Sequence, residues 1–162
     1  MDTRKMTRIA MLLTLGLALS YFESLIPFNF SVPGIKLGLA NMVTMFVLYR
    51  YETKDAVLIM FLRVLISGFM FSGLNTIIFG IFGGIFCITV MKVIKRFDFF
   101  SVVGVSILGA VFHNIGQLAA AFIIMQNTNI IYYLPYLLIS GIVSGFFIGY
   151  ISAILIKRFQ NI

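Results

Sequence analysis

The chain has 162 residues, of which 61% are hydrophobic and 10% charged, and its mean hydropathy is +1.10. Soluble domains average about 45–50% apolar and about 25% charged residues, so an ordinary water-soluble globule and a disordered chain are both excluded. Twelve Lys and Arg against five acids give a net charge of +7, and the single cysteine, Cys87, excludes a disulfide framework and a multi-cysteine metal site.

A bilayer core of about 30 Å needs roughly 20 apolar residues in a helix. Six segments are read as spans, giving an all-α polytopic membrane protein with one six-helix integral membrane domain over 1–162 and no soluble domain. The first, 7–26, stops before Pro27. Ala18-Leu19-Ser20 loosely resembles a signal cleavage site, but the apolar run continues beyond it, so an uncleaved helix is expected. This helix carries Ala10, Thr14 and Ala18 at four-residue spacing, with Gly16 nearby and Glu23 near its outer end.

Segment 27–36 should dip into the outer face, bringing Lys36 with it; irregular backbone at that depth must be covered by protein or line a wet cavity. The second span, 37–50, is short and carries Asn41 and Thr44. The third, 55–72, holds Arg63 near its middle. The fourth, 74–95, has Asn75 at its outer start and Gly80, Gly83 and Gly84 along it. The fifth, 101–125, places His113, Asn114 and Gln117 on one wide face. The sixth, 133–156, carries Gly141, Gly145 and Gly149; Tyr132, Tyr133 and Tyr136 at its outer end read as an interfacial aromatic belt. Small residues four apart let helix backbones approach closely in lipid. On the fourth and sixth helices they are read as packing within the bundle.

Lys and Arg placement orients the spans. Arg4, Lys5 and Arg8 precede the first helix. Arg50 and Lys54 separate the second and third, Lys92, Lys95 and Arg96 the fourth and fifth, and Lys157 and Arg158 follow the sixth. The opposite side has Lys36 alone. Both termini are therefore expected in the cytoplasm, with the protein in the cell membrane. The net positive charge follows from this bias, so no nucleic-acid partner is expected.

A charged residue within a span is costly and should face a cavity or a partner. Arg63, His113, Asn114, Gln117, Asn41, Lys36 and Asn75 are the candidate substrate-binding residues, facing a pocket open to the outside. A guanidinium there would meet a carboxylate or phosphate, and Phe- and Tyr-rich walls would suit an apolar or aromatic ligand body. Structural alternatives stand beside this: Arg63 paired with Glu23, and His113 and Asn114 tying helices together.

Catalysis by this chain alone is not expected. Its acids are Asp2, Glu23, Glu52, Asp55 and Asp98, with no Asp cluster to hold Mg²⁺ on a diphosphate. Glu52 and Asp55 are read as solvated beside Arg50 and Lys54. A lone His without a second ligand gives no metal or haem site, so no cofactor is expected. No phosphate-binding Gly-Lys-Ser/Thr loop is present, so an ATPase would have to come from a partner.

Three stretches resemble a known family: Gly34-Ile35-Lys36-Leu37-Gly38-Leu39-Ala40-Asn41-Met42-Val43-Thr44, Leu62-Arg63-Val64-Leu65-Ile66-Ser67-Gly68, and Gly104-Val105-Ser106-Ile107-Leu108-Gly109-Ala110-Val111-Phe112-His113-Asn114-Ile115-Gly116-Gln117. Tyr132-Tyr133-Leu134-Pro135 fits as well. The chain resembles the proteins called heptaprenyl diphosphate synthase component I, or Gx transporters, which are similar to the substrate-binding S components of energy-coupling factor (ECF) transporters. The resemblance implies six helices, an outward pocket capped by 27–36, and a docking face at Ala10, Thr14 and Ala18. It also implies a transmembrane T component with ATPase subunits as partners, and a flavin-like or isoprenoid/quinone-precursor-like ligand. Two other readings compete: a non-catalytic scaffold for a prenyl-quinone or electron-transfer complex, and a proton-coupled carrier working through Glu23.

Overall fold

Local capping chemistry sets several of the helix boundaries in the computed structural model, which describes residues 3–26, 38–97 and 99–159. The helices are α1 (Thr3–Leu25), α2 (Asn41–Arg50), α3 (Thr53–Ser67), α4 (Leu74–Ile94), α5 (Val102–Met125) and α6 (Leu134–Arg158). Glu52 and Asp55 form a capping box at the start of α3, each side chain satisfying an N–H that the first turn leaves open. The Ser101 hydroxyl accepts the Gly104 N–H at 3.2 Å and starts α5. A π turn, Gly68–Ser72, extends α3 until Gly73 ends it at φ 84°, a backbone region open mainly to glycine. A 3₁₀ turn, Thr128–Tyr133, leads into α6.

Among the described residues, five helical stretches are long and apolar enough to cross a membrane: Thr3–Leu25, Thr53–Ser72, Leu74–Ile94, Val102–Met125 and Thr128–Arg158. The chain is a multi-pass helical membrane protein. The second expected span is corrected. Gly38 has φ 72°, so no right-handed helix runs through it, and the Asn41 N–H bonds to the Gly38 carbonyl at 2.8 Å in a turn. The helix therefore starts at Asn41 and has 10 residues, about 15 Å at 1.5 Å per residue, half a bilayer core. Residues 27–37, on which the lid and Lys36 fall, lie outside the described residues.

Helices α2, α6, α5, α4 and α3 pack side by side in that order, and α3 returns to α2. Helix α1 leans on α2 and α3 with only Ile9 and Gly16 buried. Glycines set the close approaches. A Cβ on Gly141, Gly145 or Gly149 would come within 2.7 to 3.1 Å of Val111, Ile107 or Val103 backbone atoms on antiparallel α5. On α4, Gly80 and Gly84 make room for the Val64 and Met60 side chains of α3. The expected packing role of these small-residue faces matches this geometry.

Cross-helix contacts gather one set of ends. Lys5 Nζ lies 2.9 Å from Asp55 Oδ2 and 3.4 Å from Glu52 Oε1. Lys5, from the first turns of α1, is therefore the partner that these acids meet, in place of the expected Arg50 and Lys54. Lys95 donates to the Leu48 carbonyl at 2.7 Å, and the Phe46 and Phe159 rings meet edge-on with centroids 5.9 Å apart. The starts of α1 and α3 and the ends of α2, α4 and α6 thus share one end of the molecule. The flanking Lys and Arg residues named above cluster there. The apolar core, including Ile9, Leu48, Ala56, Ile59, Met91 and Val105, fills this end. A cavity runs from the opposite end, at Glu23, Ser72 and Thr76, inward as far as Met91 and Ser106.

Candidate functional site

All six helices contribute to that cavity, whose volume is about 110 Å³. Its lining includes Ser20, Glu23 and Ser24 of α1, Asn41 and Met45 of α2, and Arg63 and Ser67 of α3. Thr76, Gly80, Cys87 and Met91 come from α4; Ser106, His113, Asn114 and Gln117 from α5; and Ser144 and Ile148 from α6. Of the candidate ligand-binding residues, Arg63, His113, Asn114, Gln117 and Asn41 converge here. Separate helices bring them together: the α5 residues share a face by their spacing of three and four, and Arg63 faces them from α3.

Asn75 does not join them. It is exposed at the start of α4, and the neighbouring Thr76 lines the cavity. Helix phase explains the correction. Packing of Gly80 and Gly84 on α3 fixes the rotation of α4, which turns residues 76, 80, 87 and 91 inward and carries residue 75 about 100° away. Lys36 lies outside the described residues.

Arg63 is 8% exposed. Its Nη2 donates to Asn41 Oδ1 at 2.9 Å and its Nη1 to Ser20 Oγ at 3.3 Å, so neutral acceptors from α1 and α2 hold the cation. Among the described residues its buried Nε has no hydrogen-bond partner, and neither does the buried Gln117 Oε1. The Glu23 carboxylate lines the same cavity and accepts the Gly38 N–H. Asn114 combines both readings of the sequence, because its Nδ2 ties α5 to α6 through the Leu137 carbonyl at 2.7 Å while the residue also lines the cavity.

The walls differ from expectation in one respect. No Phe or Tyr occurs among the described lining residues, which are largely serines, threonine, glycines and amides. The aromatic side chains are spread over the outer surface, where Phe22, Phe69, Tyr132, Phe147 and Tyr150 are exposed. In lipid that is the favourable side for them. Reasoning from polar residues within spans missed Ser20, Ser24, Ser67, Ser72, Thr76, Ser106 and Ser144. Their signal was phase: Ser67 stands four residues after Arg63, Ser20 and Ser24 flank Glu23 at three and one, and Ser106 lies on the His113 face seven residues earlier.

Ala10, Thr14 and Ala18 sit on the exposed side of α1, and the Thr14 hydroxyl is turned back onto the Ala10 carbonyl at 3.0 Å. This three-residue stripe therefore presents a smooth face away from the bundle. Among the described residues no group of three or more His, Cys, Asp or Glu is placed to hold a metal ion.

The family model for heptaprenyl diphosphate synthase component I matches residues 12–155. The chain belongs to this family. The match includes part or all of every helix and the whole described lining of the cavity, Ser20 to Ile148. No curated protein and no solved structure matches the chain.

Proposed function

We propose that this protein is the substrate-binding membrane component of an ECF-type uptake transporter. It captures a small anionic molecule from the outside and passes it inward with a transmembrane T component and ATPase subunits. In this reading the chain is not itself an enzyme, despite the wording of the family name. The two termini lie in the cytoplasm, and the cavity opens to the outer face of the cell membrane.

One observation carries the reading: a buried guanidinium, hydrogen-bonded to neutral acceptors, stands in a cavity shared with Glu23 that runs from the end of the molecule away from the basic residues towards its middle. A structural cation would be expected to be fully matched by resident groups. Here Nε still lacks a partner among the described residues, which suits a ligand that brings the anion. The exposed small-residue stripe on α1 supports docking onto a separate membrane subunit, because close helix approach requires such a face.

Native mass spectrometry of the protein released from detergent tests the capture step. The expected result is a retained small anion that disappears in Arg63→Ala. An empty protein that copurifies only with a prenyl synthase would favour a scaffold instead. Copurification with an ATPase pair, abolished by Ala10→Leu or Ala18→Leu, tests docking. If these bulky changes leave the complex intact, the stripe is not the interface.

A further inference from the structure

The hydrogen-bonding inventory of the cavity narrows its ligand further, on the premise that the protein is a capture subunit. Four lining hydroxyls spend their hydrogens on carbonyls of their own helices. Ser24 donates to Tyr21 at 2.7 Å, Ser67 to Val64 at 3.3 Å, Thr76 to Ser72 at 2.8 Å and Ser144 to Gly141 at 3.4 Å. A hydroxyl has one hydrogen and two lone pairs, so each of these presents acceptor character to anything else that approaches it. Gln117 adds its unpartnered Oε1. Acceptors therefore outnumber free donors near the single buried guanidinium, and the Glu23 carboxylate adds to them.

A complementary solute needs one anionic group for Arg63 and several N–H or O–H donors for the acceptors. Size limits it too. A cavity of about 150 Å³ accepts benzene, with its six non-hydrogen atoms, and this one measures about 110 Å³. A fused ring system or a prenyl chain exceeds that scale, and no Phe or Tyr occurs among the described lining residues to stack on a ring. We infer that the ligand is a compact carboxylate of about half a dozen non-hydrogen atoms, bearing hydroxyl or ammonium donors: a short hydroxy acid or amino acid.

Calorimetric titration of the protein in lipid nanodiscs tests this. The probes are glycine, L-alanine, glycolate and L-lactate, with riboflavin and isopentenyl diphosphate as counter-probes. The expected result is saturable binding of at least one short acid, the amino and hydroxy arms telling which donor is read. Binding should weaken at least a hundredfold in Arg63→Gln and about tenfold in Gln117→Leu, the effect of one lost hydrogen bond. Thermal melting shows whether each variant is folded, and the wild-type panel decides even where one is not. Binding of the diphosphate without any short acid would overturn this inference and leave the capture of an anion standing, whereas binding of uncharged riboflavin alone would overturn both. Silence across the panel at millimolar concentration would also overturn the inference. The capture reading would then rest on whether native mass spectrometry finds a larger retained anion that depends on Arg63.

Discussion

Asn41 is the residue on which the position of Arg63 most depends. Its Oδ1 takes the shorter of the two guanidinium hydrogen bonds described, 2.9 Å against 3.3 Å for Ser20. Interhelical hydrogen bonds within membranes average about 0.6 kcal/mol and reach about 1.7, and a charged donor belongs at the upper end. Asn41→Ala should therefore destabilise the protein by about 1–1.5 kcal/mol, seen as an earlier midpoint in a denaturing-detergent titration. Asn41→Asp should instead hold or raise the midpoint, because it turns a neutral acceptor into an ionic one. Equal midpoints for Asn41→Ala and wild type would show that this contact contributes nothing. Residue chemistry also explains what was readable beforehand. Arg63, Asn41, Asn114 and Gln117 stand out because each is costly in hydrocarbon unless satisfied. The serines and threonine do not stand out, since a hydroxyl can satisfy itself on its own helix and looks the same facing a cavity or lipid.

At the scale of elements, glycine placement decides how closely α5 and α6 approach. A methyl group on Gly145 would meet Ile107 Cα at 2.7 Å and the Ser106 carbonyl oxygen at 3.1 Å. Both are backbone atoms, so relief requires the helices to part. Gly145→Ala should cost about 1–3 kcal/mol, the usual range for overpacking, and lower the thermal midpoint. Gly104→Ala is the matched control: its nearest neighbours would be side-chain atoms at 3.5 and 3.6 Å, ordinary contact distances. With alanine the better helix former by about 1 kcal/mol, that variant should melt at or above wild type. A Gly145→Ala protein as stable as wild type would mean that the α5–α6 contact is looser than this geometry. Five of the six helices were legible as long apolar runs, and their ends fall within a few residues of where charge, Pro and Gly placed them. Helix α2 was legible only in part. Its apolar run continues back through Leu37 and Leu39, and nothing in composition marks the left-handed turn at Gly38. The order of helices around the bundle was not legible either, because each helix carries small or apolar residues on several faces.

For the whole molecule, charge and packing point along the same axis. Lys5 joins the start of α1 to the start of α3, and Lys95 joins the end of α4 to the end of α2. The basic flanks are thereby drawn to one end, with the cavity towards the other. Basic flanks stay on the cytoplasmic side during insertion, so the 3₁₀ turn Thr128–Tyr133 at the other end should face outward. Cysteine labelling resolves this directly, because the native Cys87 is buried and can be replaced. In a Cys87→Ala background, Lys54→Cys and Asn129→Cys place single thiols at exposed positions at opposite ends. A membrane-impermeant maleimide added to intact cells should label Asn129→Cys and spare Lys54→Cys until the membrane is broken. The reverse pattern would turn the cavity towards the cytoplasm. Arg63 would then meet an internal solute, and uptake from outside would lose its entry site.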